Sequence, residues 1–266
     1  MTAYRYVRQG RLPAKQVGTQ WEVLDRDVSA MRRRESRIVR RGALRVAADV
    51  EGMQQRIVVG DHAGAWWLVE SHLSAGMEPA TVLTDLMVPA LRLVGERWAS
   101  GEISVADEHR ATSASQRVIG RLGLQFAPPG KSRGTVALAA PAGDLHALPV
   151  SIVADLLGWR GWHVLELGAN TPAPAFGDAL AAEQRVVAIG IAVTTAGLES
   201  AVAECVAAAR LAQPDVTIFV GGGAITSARQ AQEVGADTWS GIGSSAVIDT
   251  VERIAAAKPV VTRSVR

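Results

Sequence analysis

Five short apolar runs alternate with five helical stretches between residues 134 and 257, and that alternation leaves the chain few folds to choose from. Strands are predicted at 134–140, 163–167, 186–193 and 216–221, with a short one near 237–240. Helices are predicted at 148–160, 173–184, 197–212, 226–234 and 245–257. A strand, a crossover helix and a further strand place the two strands parallel, so the series implies a doubly wound parallel sheet. Ligands of such open sheets bind beyond the carboxyl ends of the strands. The first of those ends is followed by Asp144, Leu145 and His146. A neutral imidazole is a good ligand for a borderline transition metal, and its second ring nitrogen needs a partner that fixes the tautomer. Asp144, two residues before His146, can be that partner. The same residues also fit a plainer role, with Asp144 capping the helix that starts near Leu148 and His146 an ordinary loop histidine. Gly221, Gly222 and Gly223 permit close approach of a bulky group, or simply make a tight strand-to-helix turn.

Residues 59–126 carry helical signals instead. Ala65 to Ser74 forms one predicted helix, ended by Gly76, and Glu78-Pro79 opens the next at a position suited to a first turn. Val82, Leu86, Val88, Leu91, Leu93 and Val94 supply its apolar stripe. Trp98 stands at its end, Gly101 breaks it, and Ser104 or Asp107 opens a further helix holding Glu108 and His109. A small helical bundle is expected, joined to the α/β part by a linker rich in Pro and Gly around Pro128–Gly134.

The first sixty residues are strongly basic, with thirteen Lys and Arg against six Asp and Glu, although the whole chain is only +2. A basic arm on an acidic body is the footprint of a polyanion-binding module. Thr2 to Gln9 is predicted as a short basic helix closed by Gly10. Leu12–Ala14 and Trp21–Leu24 are predicted as two short strands around a Val17-Gly18 turn, with Asp25 capping a further helix. Residues 31–58 suit a basic linker helix, whose charges serve equally as a solvated face or as phosphate contacts. The single cysteine, Cys205, excludes an internal disulfide and a Cys-rich metal site, which suits a reducing cytoplasm. No apolar run approaches the length of a membrane span, and no signal peptide is visible.

Trp98 and Glu108-His109 at Trp-x9-Glu-His spacing, followed by Asp144-x-His146 and Gly221-Gly222, resemble the cobalamin-binding module. That module occurs in methionine synthase-like proteins and in adenosylcobalamin-dependent, MerR-like, light-responsive transcription regulators. The stretch from Tyr4 to Gly18 resembles the recognition helix and wing of excisionase and MerR-type winged helix-turn-helix domains. The resemblance implies a multidomain chain. Residues 1–30 are then a partial winged helix-turn-helix lacking its first helix, and 31–58 a linker helix. Residues 59–126 are a four-helix bundle cap, and 134–258 an α/β flavodoxin-like, doubly wound parallel sheet. It implies adenosylcobalamin or another cobalamin as cofactor, with His146 as the lower cobalt ligand and Asp144 behind it. Trp98, Glu108 and His109 would meet the upper axial group, and Thr194, Thr195, Gly221 and Gly222 the nucleotide tail. Arg5, Arg8, Arg11 and Lys15 would face double-stranded DNA. Three departures stand out. Pro149 replaces a glycine that lets the tail pass close to the backbone, Ala192 lacks a hydroxyl that would hold the base, and Ala99 replaces a histidine found in some light-responsive members.

The function implied is a non-enzymatic, cytoplasmic regulator whose cofactor state controls oligomerisation, as dimer or tetramer, and DNA binding. Two alternatives remain open. One is a corrinoid carrier for methyl transfer, against which stand the basic wing and the lack of a second domain for a methyl donor or acceptor. The other is a sensor of another tetrapyrrole in a remodelled pocket, which Pro149 and Ala192 favour.

Overall fold

The computed structural model describes residues 7, 12–17, 20–29, 49–126, 130 and 132–257. Near the N-terminus two antiparallel strands, β1 (Lys15–Val17) and β2 (Gln20–Glu22), pair Lys15 with Glu22 and Val17 with Gln20. The first strand therefore starts later than the expected Leu12–Ala14, since Pro13 has no N–H to give a ladder. A helical turn follows at 25–29, and the Leu24 carbonyl accepts from Asp27 N at 2.9 Å and Val28 N at 3.2 Å. Leu24, not Asp25, thus stands at the head of that helix. Val7 is helical, but the remainder of the predicted Thr2–Gln9 helix, the turn at Gly18 and residues 31–48 lie outside the described residues, as do Arg5, Arg8 and Arg11.

The helical half comprises α1 (49–58), α2 (His62–Ser74), α3 (79–99) and α4 (Val105–Gly123). Asp61 caps α2 by accepting from Gly64 N at 2.8 Å. Helix α3 opens with Pro79 and is not uniform, because a π turn at Leu83–Met87 interrupts it before Val88–Ala99. Pro89 causes this. It offers no N–H to the Asp85 carbonyl, and the Val88 N–H reaches back five residues to Leu83 O. Helix α4 begins with a capping box in which Ser104 N donates to Asp107 Oδ2 at 2.9 Å and Asp107 N to Ser104 Oγ at 3.2 Å. Met53, Ile57, Leu83, Leu86, Met87 and Leu122 are fully buried between these helices.

Beyond them lie β3 (Thr135–Pro141), α5 (Ala147–Trp159), β4 (His163–Thr171), α6 (Ala173–Ala182), β5 (Val186–Ala192), α7 (Glu199–Ala212), β6 (Thr217–Gly221), α8 (Ala228–Glu233), β7 (Thr238–Trp239) and α9 (Ser244–Ala257). The five strands form one parallel sheet in the order β4-β3-β5-β6-β7. β3 is buried along its whole length and β5 nearly so, which explains why both read as continuous apolar runs rather than alternating ones. One face packs beneath α5 and α9 in a core that is continuous with the helical half. The other packs beneath α6 and α7 through Phe176, Leu180, Val202 and Val206. β4 runs on to Thr171, past its expected end at 167, and register shifts against β3 absorb the extra length. The chain leaves β3 toward β4 and then returns past it to β5. The β3/β5 boundary is thus the switch point of this flavodoxin-like order, where a ligand crevice is expected.

Candidate cofactor site

A cavity of about 780 Å³ opens at that switch point, between the carboxyl ends of the strands and helices α3 and α4. That volume lies within the usual range for small-molecule and cofactor sites. Asp144 forms the buried base of its polar edge. Oδ1 accepts from His146 Nδ1 at 2.8 Å and from His146 N at 3.2 Å, while Oδ2 accepts from Thr194 N at 2.5 Å and Thr195 N at 3.2 Å. Burial pushes the Asp144 carboxyl up, but the N–H groups of Thr194, His146 and Thr195 outweigh it and hold the carboxyl below its ordinary value. Asn170, at φ 53°, fixes the loop from outside. Its N–H donates to Asp144 O at 2.8 Å, and its Oδ1 accepts from Gly143 N at 2.8 Å.

His146 lines the cavity, its side chain half-exposed, at the N-cap of α5. With Nδ1 donating to Asp144, Nε2 is left as the nitrogen with a free lone pair. Asp144 therefore does not cap α5 through its side chain in the ordinary manner, because its oxygens go to the ring and to the loop after β5. Pro149 occupies the first turn of α5, where no helical N–H is lost, and it lines the cavity.

The opposite wall comes from α3 and α4. Val88, Leu91, Gly95 and Trp98 recur at helical spacing along one face of α3, and Trp98 is half-exposed there. Glu108 and Thr112, four residues apart on α4, share the cavity-facing stripe, and Thr112 Oγ1 donates to Glu108 Oε1 at 2.7 Å. His109 departs from expectation. It is 74% exposed, with Nδ1 3.9 Å from Glu108 Oε2, and it does not line the cavity. One step along a helix turns a side chain by about 100°, so Glu108 and His109 cannot face the same wall.

Thr194, Thr195, Gly221 and Gly222 border the cavity at the strand ends. Gly222, at φ +107°, is required by the turn, since a Cβ there would stand 2.3 Å from Val193 O. Sequence reasoning missed Arg92, Gly190, Phe219, Ser240 and Ser244, all on the same cavity. Of these only Gly190 left a signal, as the single glycine inside the apolar run of β5.

No group of three or more His, Cys, Asp or Glu gathers to hold an ion among the described residues, and there no helix is long and apolar enough to cross a membrane. A lone imidazole on a large, mostly apolar cavity fits a metal that brings its other ligands with it in a macrocycle. Fold and site together thus define a flavodoxin-like binding domain with one histidine on its cavity, held by Asp144 and roofed by helices. Residues 50–122 and residues 134–250 each match a family model described as a B12 binding domain. The chain belongs to the cobalamin-binding proteins.

It is 23% identical over 194 residues to monomethylamine corrinoid protein 2 of Methanosarcina acetivorans, covering 70% of this chain and 88% of that protein. It is 29% identical over 179 residues to the trimethylamine corrinoid protein of Methanosarcina barkeri, covering 66% and 82% respectively. The solved structure of the Methanosarcina barkeri monomethylamine corrinoid protein shares the fold, with a TM-score of 0.64, 19% identity and coverage of 76% of this chain and 96% of that one. These relatives are named as corrinoid proteins. They favour the carrier alternative over the light-responsive regulator that the sequence resemblance put first.

Proposed function

We propose that the chain is a corrinoid-carrying protein that holds cobalamin base-off, with His146 Nε2 as the lower cobalt ligand. The observation that supports this most is the Asp144–His146 pair at the mouth of the switch-point cavity. Asp144 fixes the imidazole tautomer and orientation through its bond to Nδ1, which leaves Nε2 for the metal. Trp98, Leu91 and Gly95 would lie over the upper face and exclude water from it, with Glu108 and Thr112 offering the polar contacts there. When bound, the corrinoid supplies a cobalt centre able to take up and hand on a methyl group; the organic chemistry is the cofactor's and the positioning is the protein's. The trimethylamine and monomethylamine corrinoid proteins give this reading its methyl-transfer context. Reconstitution with hydroxocobalamin and with adenosylcobalamin tests it. His146→Ala is expected to convert the spectrum of the bound form from imidazole-ligated to water-ligated. An unchanged spectrum and affinity would remove His146 from the site.

A second reading, a cobalamin-dependent DNA-binding regulator, is favoured by one particular observation. The first 49 residues, which hold most of the excess basic charge, lie outside both family models. They include the β1–β2 hairpin with Lys15 exposed on it. In this reading Arg5, Arg8, Arg11 and Lys15 contact phosphate, adenosylcobalamin is the bound form, and an oligomer places several reading heads on one duplex. Duplex binding would then weaken steeply with salt and change between dark and light. Absence of duplex binding at low salt in every cofactor state leaves the carrier alone.

A further inference from the structure

The cavity runs inward between the sheet and helices α5 and α9. Leu138, Gly190 and Phe219 stand side by side on neighbouring strands, with Val150 and Val247 on the helices opposite. Gly190 has no Cβ because the Phe219 ring takes its place, 2.4 Å from where that Cβ would be. Two residues nearer the carboxyl ends the same sheet face carries Ala192 on β5, paired with Gly221 on β6, and then Ser240 just after β7. Ser240 is 4% exposed, and its N–H holds it against β6 by donating to Val220 O at 2.9 Å. Its hydroxyl leans across Gly221, 2.1 Å from the position a Cβ would take there. A side chain at 221 would exclude it.

In this row of Ala192, Gly221 and Ser240, Ser240 supplies the one hydroxyl. Its hydrogen bond is to the carbonyl of the next residue, Gly241, at a long 3.3 Å. The threonines at the mouth are differently placed: Thr195 Oγ1 lies 3.4 Å from both Asp144 Oδ1 and His146 Nδ1, and so belongs to the ligand pair. A planar heteroaromatic base entering an apolar crevice loses the water on its ring nitrogen, and a buried acceptor left without a donor is costly. A hydroxyl held on the wall by a weak local bond can turn to make that donation, giving up only its long contact with Gly241 O.

We propose that Ser240 selects the nucleotide tail of the corrinoid, its hydroxyl donating to a ring nitrogen of the heteroaromatic base seated between the sheet and α5 and α9. This rests on the corrinoid reading above, and the test separates the two. Full-length protein is titrated with hydroxocobalamin and with cobinamide, which has no nucleotide, for wild type, Ser240→Ala and Ser240→Ala combined with Ala192→Ser. Ser240→Ala is expected to weaken hydroxocobalamin by roughly ten-fold, the size of one buried hydrogen bond, and to leave cobinamide unchanged. Returning a hydroxyl to the same row at 192 is expected to recover most of the loss, at unchanged melting temperature. Equal losses for both ligands, no loss for either, or no recovery in the double variant would each overturn the assignment. Wild type that binds cobinamide as tightly as hydroxocobalamin would overturn it while leaving the corrinoid reading intact. Wild type that binds neither would remove both.

Discussion

The two oxygens of Asp144 serve different neighbours, and this division governs how the site responds to change. One holds the imidazole of His146, and the other gathers the N–H groups that begin the loop after β5. Asp144→Asn keeps the shape but loses the charge and half of the accepting capacity. Its expected effect is a 10–100-fold loss of cobalamin affinity, measured by spectral titration, with the lower ligand still in place. The same carboxyl has an acid-side signature. Because it is held below its ordinary value, its contribution to stability is present above the unfolded-state pKa and fades as pH falls through the folded one. Denaturant midpoints between neutral and acidic pH should therefore fall more in the wild type than in Asp144→Asn. The spacing of Asp144 and His146 was legible in the sequence because both are side chains with one obvious chemistry. The backbone donors at 194 and 195 were not, since an N–H carries no residue-type signal.

At the scale of elements, order and type were legible from periodicity and ends were not. Ser104 opens α4 as one of two candidates, and the capping box with Asp107 decides between them. Ser104→Ala should cost about 1 kcal/mol of stability and lower the melting temperature, since it leaves the first turn of α4 without its side-chain acceptor. The stripe on α3 was readable as apolar, yet which part faces the core and which faces the cavity depends on rotation about the helix axis. That rotation is set at Pro89, and nothing in a hydrophobic pattern reports it. His109 failed as a site residue for a related reason: adjacency in sequence is not adjacency on a helix face. β4 outran its expected end because Gly168, Ala169 and Asn170 are weak strand formers, and pairing with β3 overrode that local preference.

Across the whole molecule, the helical half and the sheet domain share one core, and a partly buried acid sits at their seam. Asp155 on α5 lies against Gly123 at the end of α4, with Glu166 of β4 nearby; burial and that second carboxylate push its carboxyl up to about 6. A raised carboxyl favours the folded state most when protonated. Its stabilising share is therefore full below its ordinary value of 3.8 and is lost as pH climbs through about 6. After allowance for solvent screening, Asp155→Asn should stabilise the protein by on the order of 1 kcal/mol at pH 7 to 8 and by almost nothing near pH 4. Chemical denaturation at the two pH values checks this, and equal effects at both would remove the acid from the seam. The α/β half was legible almost throughout, whereas this seam was not, because contact between distant helices leaves no local pattern. The π turn at Leu83–Met87 acts on the same scale. It amounts to one inserted residue, and it sets the phase between two stretches of a single helix. Upstream, the side chains point into the shared core; downstream, Leu91, Gly95 and Trp98 are turned onto the cavity. Deleting one residue there would restore a regular helix and rotate everything after it by about 100°. The roof would keep its composition, and the cavity would lose its wall.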